Sequence, residues 1–281
     1  MATGVTYAGV TVLAPMVRCG TLPLRLVALK HGADLVYSEE IIDHKFLKCT
    51  RSVNTVCNTI DYVHGPSGAM VLRTNAEERG KLILQLGTAD PDRALRAARI
   101  AQQDIVGVDI NCGCPKKFSL QGGMGAALLG TPDLLCEIVS TLKAGLSVPV
   151  TCKIRLLDTE AATIALMKRL EAAGAAAIAV HCREAHEGKH DPGHWEKLKP
   201  LVAAVSVPVI ANGDIYSHAD IAAVKALTGC SSIMLARGAL KNPSLFRPAE
   251  DGVLPLREVV QDFLRQAARV GNLHANTKFT V

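Results

Sequence analysis

Eight short runs of β-branched and aliphatic residues alternate with segments of helical period along this 281-residue chain, and that rhythm limits its fold more than any single motif. The runs lie at 10–14, 35–38, 82–86, 106–110, 148–154, 176–182, 207–211 and 231–236. Helical patterns occupy 22–31, 92–103, 133–144, 160–173, 194–205 and 217–227. The runs are almost continuously apolar, as strands are when both faces of a parallel sheet are covered. Pro91 and Pro132 suit first-turn positions behind Asp90 and Thr131, and Gly32, Gly145, Gly174 and Gly229 stand where helices should stop. Eight strand–helix units in this length predict an α/β fold of the (β/α)8 TIM-barrel type, with an open doubly wound sheet as the alternative. Residues 43–79 break the rhythm and read as an insertion, with short strands at 55–60 and 70–73 and a turn at His64-Gly65-Pro66.

A composition 49% hydrophobic but only 4% aromatic fits a large core of Ala, Val, Leu and Ile. The net charge of +5 permits a polyanionic partner without demanding one. Nine cysteines is an odd number, and their spacing is not that of a secreted disulfide scaffold, so a reducing, cytoplasmic setting is expected. Cys112 and Cys114 stand two apart rather than as a C-x-x-C pair, and no metal site is expected. The N-terminus has no signal-peptide pattern. Apolar stretches such as 200–213 fall short of the roughly 18–20 residues that span a bilayer, so no membrane contact is expected.

Polar residues follow the strands. They are Glu39-Glu40 after the second, Gln85 in the third, Asn111 and Cys114 after the fourth, Lys153 and Arg155 in the fifth, His181 in the sixth, Asn212-Gly213-Asp214 after the seventh and Arg237-Gly238 after the eighth. In a barrel these ends meet around one cavity. Gly213 and Gly238 sit after the two strands whose loops commonly bind phosphate through backbone N–H groups, and Arg237 adds a charged fork; a tight turn explains either glycine alone. Gln85 and Asn111 carry paired donors and acceptors that suit the edge of a flat heterocycle, or else satisfy nearby backbone. His181 is a donor to a phosphate or ring nitrogen, or a satisfied half-buried histidine. Lys153, inside an apolar run, needs a negative ligand or an internal ion pair with Asp109 or Asp214. Cys114 is boxed by Gly113 and Pro115, with Lys116 and Lys117 behind it. Its thiol is a nucleophile or a general acid. The glycine-rich stretch 119–125 reads as a lid or as a plain connection.

The set Ala14-Pro15-Met16, Asn111-x-Gly-Cys114-Pro115, Gly123-x-Gly125-x-x-Leu128-Leu129, Lys153-x-Arg155, His181, Asn212-Gly213-Asp214 and Ala236-Arg237-Gly238-Ala239 resembles the dihydrouridine synthases. These are FMN-dependent enzymes that reduce uracil bases in tRNA. Ser38-Glu39-Glu40-Ile41-Ile42-Asp43 and the run 122–129 look most like the eukaryotic branch that acts at position 20 of the D-loop. The resemblance implies that Pro15, Met16, Val17, Gln85, Lys153, His181, Asn212, Gly213, Asp214, Ala236, Arg237 and Gly238 hold FMN. It implies that Asn111, Lys153 and Arg155 contact the target uracil, that NADPH is the reductant, and that Cys114 protonates C5 while hydride reaches C6. Its partner is then a tRNA D-loop uridine, with no obligate protein partner.

The chain is expected to divide into a barrel, 1–247, and a short C-terminal helical segment, 248–281. In the latter, Leu256, Val259, Val260, Phe263, Leu264, Ala267 and Val270 recur at helical spacing. The resemblance implies a larger helical bundle there, so a shortened form is expected. Two other readings stand beside the reductase: a phosphate-binding aldolase or isomerase with Lys153 as Schiff-base amine, and a non-catalytic flavin- or RNA-binding remnant.

Overall fold

A computed structural model describes residues 4–281. Eight parallel strands form its centre: β1 (Thr11–Leu13), β2 (Leu35–Tyr37), β3 (Leu82–Gly87), β4 (Gly107–Cys112), β5 (Val150–Leu156), β6 (Ala177–Glu184), β7 (Val209–Asn212) and β8 (Ser232–Leu235). Each pairs with the next, β1 pairs with β8, and β2 pairs with β3 through Val36 opposite Leu82 and Tyr37 opposite Ile83. The sheet is therefore a closed barrel, and the open doubly wound alternative falls.

Most expected helices are present, with ends shifted by a residue or two. Asp90 caps Pro91–Ala101 by accepting from Arg93 N–H at 2.8 Å, whereas Thr131 gives Pro132–Gly145 no side-chain cap. The segment expected at 194–205 splits into a 3-10 turn, Trp195–Lys197, and a helix, Leu198–Ala204.

The side-chain period of two sorts the strands. Leu13, Val108, Ile110, Cys112, Cys152, Ile154, Val180 and Cys182 face outward into the layer beneath the helices. Val12, Ala14, Tyr37, Ile83, Ala177, Ala179, Ile210 and Met234 face inward, and Tyr7 from the N-terminal segment joins them at the barrel floor. Gly107 makes room for that plug, because a β-carbon there would lie 2.5 Å from Tyr7 Oη.

The insertion is a three-stranded antiparallel sheet of Cys49–Asn54, Thr59–His64 and Met70–Thr74. The expected strand at 55–60 is corrected. Residues 55–58 form a turn, in which Asn54 Oδ1 accepts the N–H groups of Val56 and Cys57 at 3.1 Å and Asn58 adopts φ 53°. The strand before it, Cys49–Asn54, has exposed polar positions and no apolar run, so pattern reading passed over it. Fully buried Tyr62 stacks on Phe46 with ring centroids 5.2 Å apart, and its hydroxyl meets Asp104, which also pairs with Arg51 at 2.7 Å.

The C-terminal helix Leu256–Arg269 lies on the helix Leu22–Lys30. Val259, Phe263 and Ala267 join the main apolar cluster, and Lys30 pairs with Asp262 at 2.8 Å. A second short helix, His274–Thr280, follows it and was not expected. Arg73 of the insertion donates to the carbonyls of Val270 and Gly271 at 2.5 and 2.8 Å, so barrel, insertion and tail are tied together.

The strongest tie is Arg25 to Glu78, a bidentate pair at 2.8 and 2.7 Å whose side chains are 2% and 0% exposed. Arg25 also donates to the carbonyls of Gly20 and Arg73 at 2.6 Å. Glu78→Ala strands a buried guanidinium, which typically costs about 3–5 kcal/mol. A urea titration is expected to show a loss of that size; a loss below about 1 kcal/mol would mean that solvent reaches Arg25.

Candidate active site

Inward-facing polar side chains gather at the C-terminal end of the barrel. Pairing register sets them side by side: Gln85 with Asp109, Asp109 with Thr151, Asn111 with Lys153, Arg155 with His181, and His181 with Asn212. They enclose a cavity of about 330 Å³ whose wall includes Ala14, Pro15, Val17, Gln85, Asn111, Cys114, Lys153, Arg155, His181, Asn212 and Ala236. His181, Asn212 and Ala236 also line a smaller cleft of about 40 Å³ with Gly213, Asp214, Arg237 and Gly238. Of the residues expected to hold FMN, to contact the base or to donate the proton, all but Met16 line these two spaces. Met16 lines neither space, and its carbonyl accepts Gly20 N–H at 2.7 Å in the turn into the first helix.

Asp109 is fully buried beneath Lys153. It accepts from Gln85 Nε2 at 2.8 Å and Thr151 Oγ1 at 2.7 Å, and burial pushes it up to about 6 against the pull of those donors and of Lys153. Burial pushes Lys153 down to about 8, opposed by Asp109. No carboxylate lies within ion-pair distance of Lys153 among the described residues, so its ammonium remains available to the cavity. The internal ion pair weighed from sequence is absent as a direct contact.

Asn111 shapes the Cys114 loop: its Oδ1 accepts the N–H groups of Gly113 and Cys114 at 3.0 and 3.1 Å. Arg155 braces that loop against the one after β6, donating to Gly113 O at 2.8 Å, Glu184 O at 2.8 Å and Glu187 O at 3.1 Å. Burial raises the Cys114 thiol above its ordinary value, opposed by the Lys116 N–H. Lys116 and Lys117 are exposed. Cys112, two residues back, faces outward, is 0% exposed and has its thiol pushed well up by burial. Gly125, at φ +60°, packs so near Cys114 that a β-carbon there would stand 2.6 Å from Cys114 O, which fixes the glycine-rich stretch under the loop.

The smaller cleft is cationic. Arg183, 2% exposed, pairs with Asp214 at 2.5 Å and reaches His181 Nε2 at 3.3 Å; Arg237 pairs with the other Asp214 oxygen at 2.5 Å. Burial opposes ionisation of Asp214, yet Arg183, Gly193 N–H and Arg237 hold it below the usual carboxylate range. Two glycines set the shape. A β-carbon on Gly238 would sit 2.2 Å from Ile215 O, and Gly213, at φ +118°, would press Cys182 Sγ at 2.4 Å.

Sequence reasoning gave Arg183 no role in the site, because it sits among acids in the sequence. Glu40, read there as a polar residue past the second strand and given no specific role, lines the main cavity.

Burial, then Lys153, Arg155, Arg183 and Arg237, push His181 down to about 2 from 6.5. The unfolded chain therefore takes up a proton below about pH 6.5 that the folded site refuses. Stability from this group is full above pH 6.5 and is lost as pH falls towards 2, approaching about 1.4 kcal/mol per pH unit. His181→Asn is expected to lose less stability than the parent between pH 7 and pH 5 in urea titrations; an equal loss would contradict the neutral assignment.

The family model described as dihydrouridine synthase matches residues 12–277. A tRNA-dihydrouridine(20) synthase of Schizosaccharomyces pombe is 40% identical over 97% of this chain, which spans 59% of that relative's length. Its counterpart from Saccharomyces cerevisiae is 42% identical, over 98% of this chain and 77% of its own length. Among solved structures, a 2-naphthoyl-CoA reductase complex superposes with a TM-score of 0.60 at 14% identity, over 89% of this chain and 53% of that one, a likeness of fold. No helix among the described residues is long and apolar enough to cross a membrane. A match that runs from the first barrel strand into the last helix, over a mouth built from the motif residues, leaves one assignment: the chain belongs to the dihydrouridine synthase family, on its eukaryotic branch.

Proposed function

We propose that this chain reduces a D-loop uridine of tRNA to 5,6-dihydrouridine with FMN and NADPH, in the cytoplasm, and that Cys114 is the proton donor. The observation that carries the reading is the placement of a raised, still protonated thiol on the wall of a cavity that runs into a cationic cleft. The residues fit FMN. The cleft at Gly213 and Gly238 is a cradle that a β-carbon would fill, and Arg183, Arg237 and Lys153 outnumber the one carboxylate there, Asp214. A dianionic phosphate suits that charge, and backbone N–H groups at the β7 and β8 loops suit its oxygens. When bound, FMN supplies the hydride that uracil C6 receives, after reduction by NADPH.

This chain's own side chains do the rest. Gln85 and Asn212 each spend their amide N–H₂ on the protein, on Asp109 and on Met234 O at 2.8 Å, which would leave their carbonyl oxygens to accept from a bound flavin. Lys153 lines the cavity and would offer its positive charge to a bound flavin, with Asp109 behind it favouring the ammonium. Asn111 and Arg155 hold the loop that aims the thiol, and a uracil unstacked from tRNA enters over it. Cys114 delivers its proton to C5 as the base gains electron density, and a thiol held above its ordinary range is protonated and ready at pH 7. The aldolase reading yields to the family assignment, although the lowered Lys153 satisfies its chemistry.

The test is direct. The purified chain incubated with FMN, NADPH and undermodified tRNA is expected to form dihydrouridine, measured by nucleoside mass spectrometry. Flavin binding without product would favour a remnant. Gly238→Ala is expected to weaken FMN binding at least tenfold in a fluorescence titration, because the added carbon fills the cleft; unchanged affinity would move the phosphate elsewhere.

A further inference from the structure

Glu40 immediately precedes a two-residue strand, Ile41–Ile42, that pairs with the end of β3, Ile41 opposite Leu86 and Ile42 opposite Gly87. That crossing sets the Glu40 side chain into the same wall as Asn111 and Cys114. Room for it exists because residue 87 has no side chain: a β-carbon there would stand 2.7 Å from Glu40 Oε1 and 3.3 Å from its carboxyl carbon. Oε1 is buried and accepts no hydrogen bond. A carboxylate oxygen left so is costly, and the mechanism above gives it no role.

The charges around it are few. Burial raises Glu40, and the Asn111 amide, the Cys114 thiol and Lys116 pull it back. The sulfur is faced by Glu40 from the end of β2, by Lys116 and Ser119 from its own loop, and by Arg155 from β5. Glu40 is the one carboxylate among them.

We propose that Glu40 keeps Cys114 in its thiol form and returns a proton to it after each turnover. This rests on the reading of Cys114 as donor. The S–H bond breaks as a C–H bond forms at C5, leaving a thiolate. The Glu40 carboxylate, now beside a second negative charge, takes a proton from water at the open mouth; its new O–H bond then breaks as the S–H bond re-forms, which leaves the carboxylate as it began. No electrons change hands. A thiol is ordinarily a weaker acid than a carboxyl, so the proton passes from carboxyl to sulfur. Glu40 acts through the sulfur and is a positioning residue.

Iodoacetamide alkylation of Cys114 in the full chain with FMN, followed by peptide mass spectrometry from pH 6 to 10, titrates the thiol without any turnover. In Glu40→Gln the midpoint is expected to fall by about one pH unit, as removal of a neighbouring like charge requires. Glu40→Asp should restore part of it. Gly87→Ala, which displaces the carboxyl and keeps its charge, should move the midpoint in the same direction. An unchanged midpoint in both Glu40→Gln and Gly87→Ala would overturn the proposal. With tRNA, Glu40→Gln should complete a first turnover at the parent rate and run later ones about tenfold slower; equal slowing of both would overturn the return step. A parent chain that forms no dihydrouridine would sink the functional reading instead, while the alkylation midpoints still decide whether Glu40 controls the thiol.

Discussion

Everything at the mouth depends on the alternation of side chains in a closed parallel barrel. Within β3 to β8, one set of residues faces the helices and the other faces the axis, and pairing register lines the inward set into rows. Polar side chains therefore share a space only near the C-terminal rim. A slip of one residue in β5 would send Lys153 and Arg155 under the helices and turn Cys152 and Ile154 into the cavity. Closure through the short β2–β3 pairing prevents that freedom, since each strand is held on both edges.

The same alternation separates two cysteines that look alike in sequence. Cys112 belongs to the strand and falls on the outward face, where burial makes it inert. Cys114 lies beyond the strand, where Asn111 bends the chain and the thiol returns to the rim. Electrostatics divide the rim into two halves. Around His181 burial, and then an excess of positive over negative charge, keep the imidazole neutral. Around Cys114 burial raises both the sulfur and the neighbouring Glu40 carboxyl, and the carboxyl's charge adds to the rise of the thiol. An anion fits the first half and a proton donor fits the second.

Much of this was legible in the sequence, because strand, helix and stop signals repeat eight times and the residue after each strand is polar. What escaped did so for physical reasons. The strand Cys49–Asn54 is stabilised by its partner and not by an apolar pattern. Arg183 is buried by an ion pair with Asp214, 31 residues away, which no local pattern reveals. Met16 sits in a family motif yet turns its backbone to the helix start. The amphipathic pattern around Val259 and Phe263 gave the C-terminal helix, but only the structure shows that its apolar face closes on the first barrel helix.

The central claim is that Cys114 donates the proton, and its substitution separates that role from binding. Cys114→Ala should hold FMN and tRNA as the parent does and consume NADPH normally to reduce the flavin. In a single turnover with undermodified tRNA it should form dihydrouridine at least about a hundredfold more slowly, the usual worth of a positioned general acid. Dihydrouridine formed at the parent rate would contradict the account.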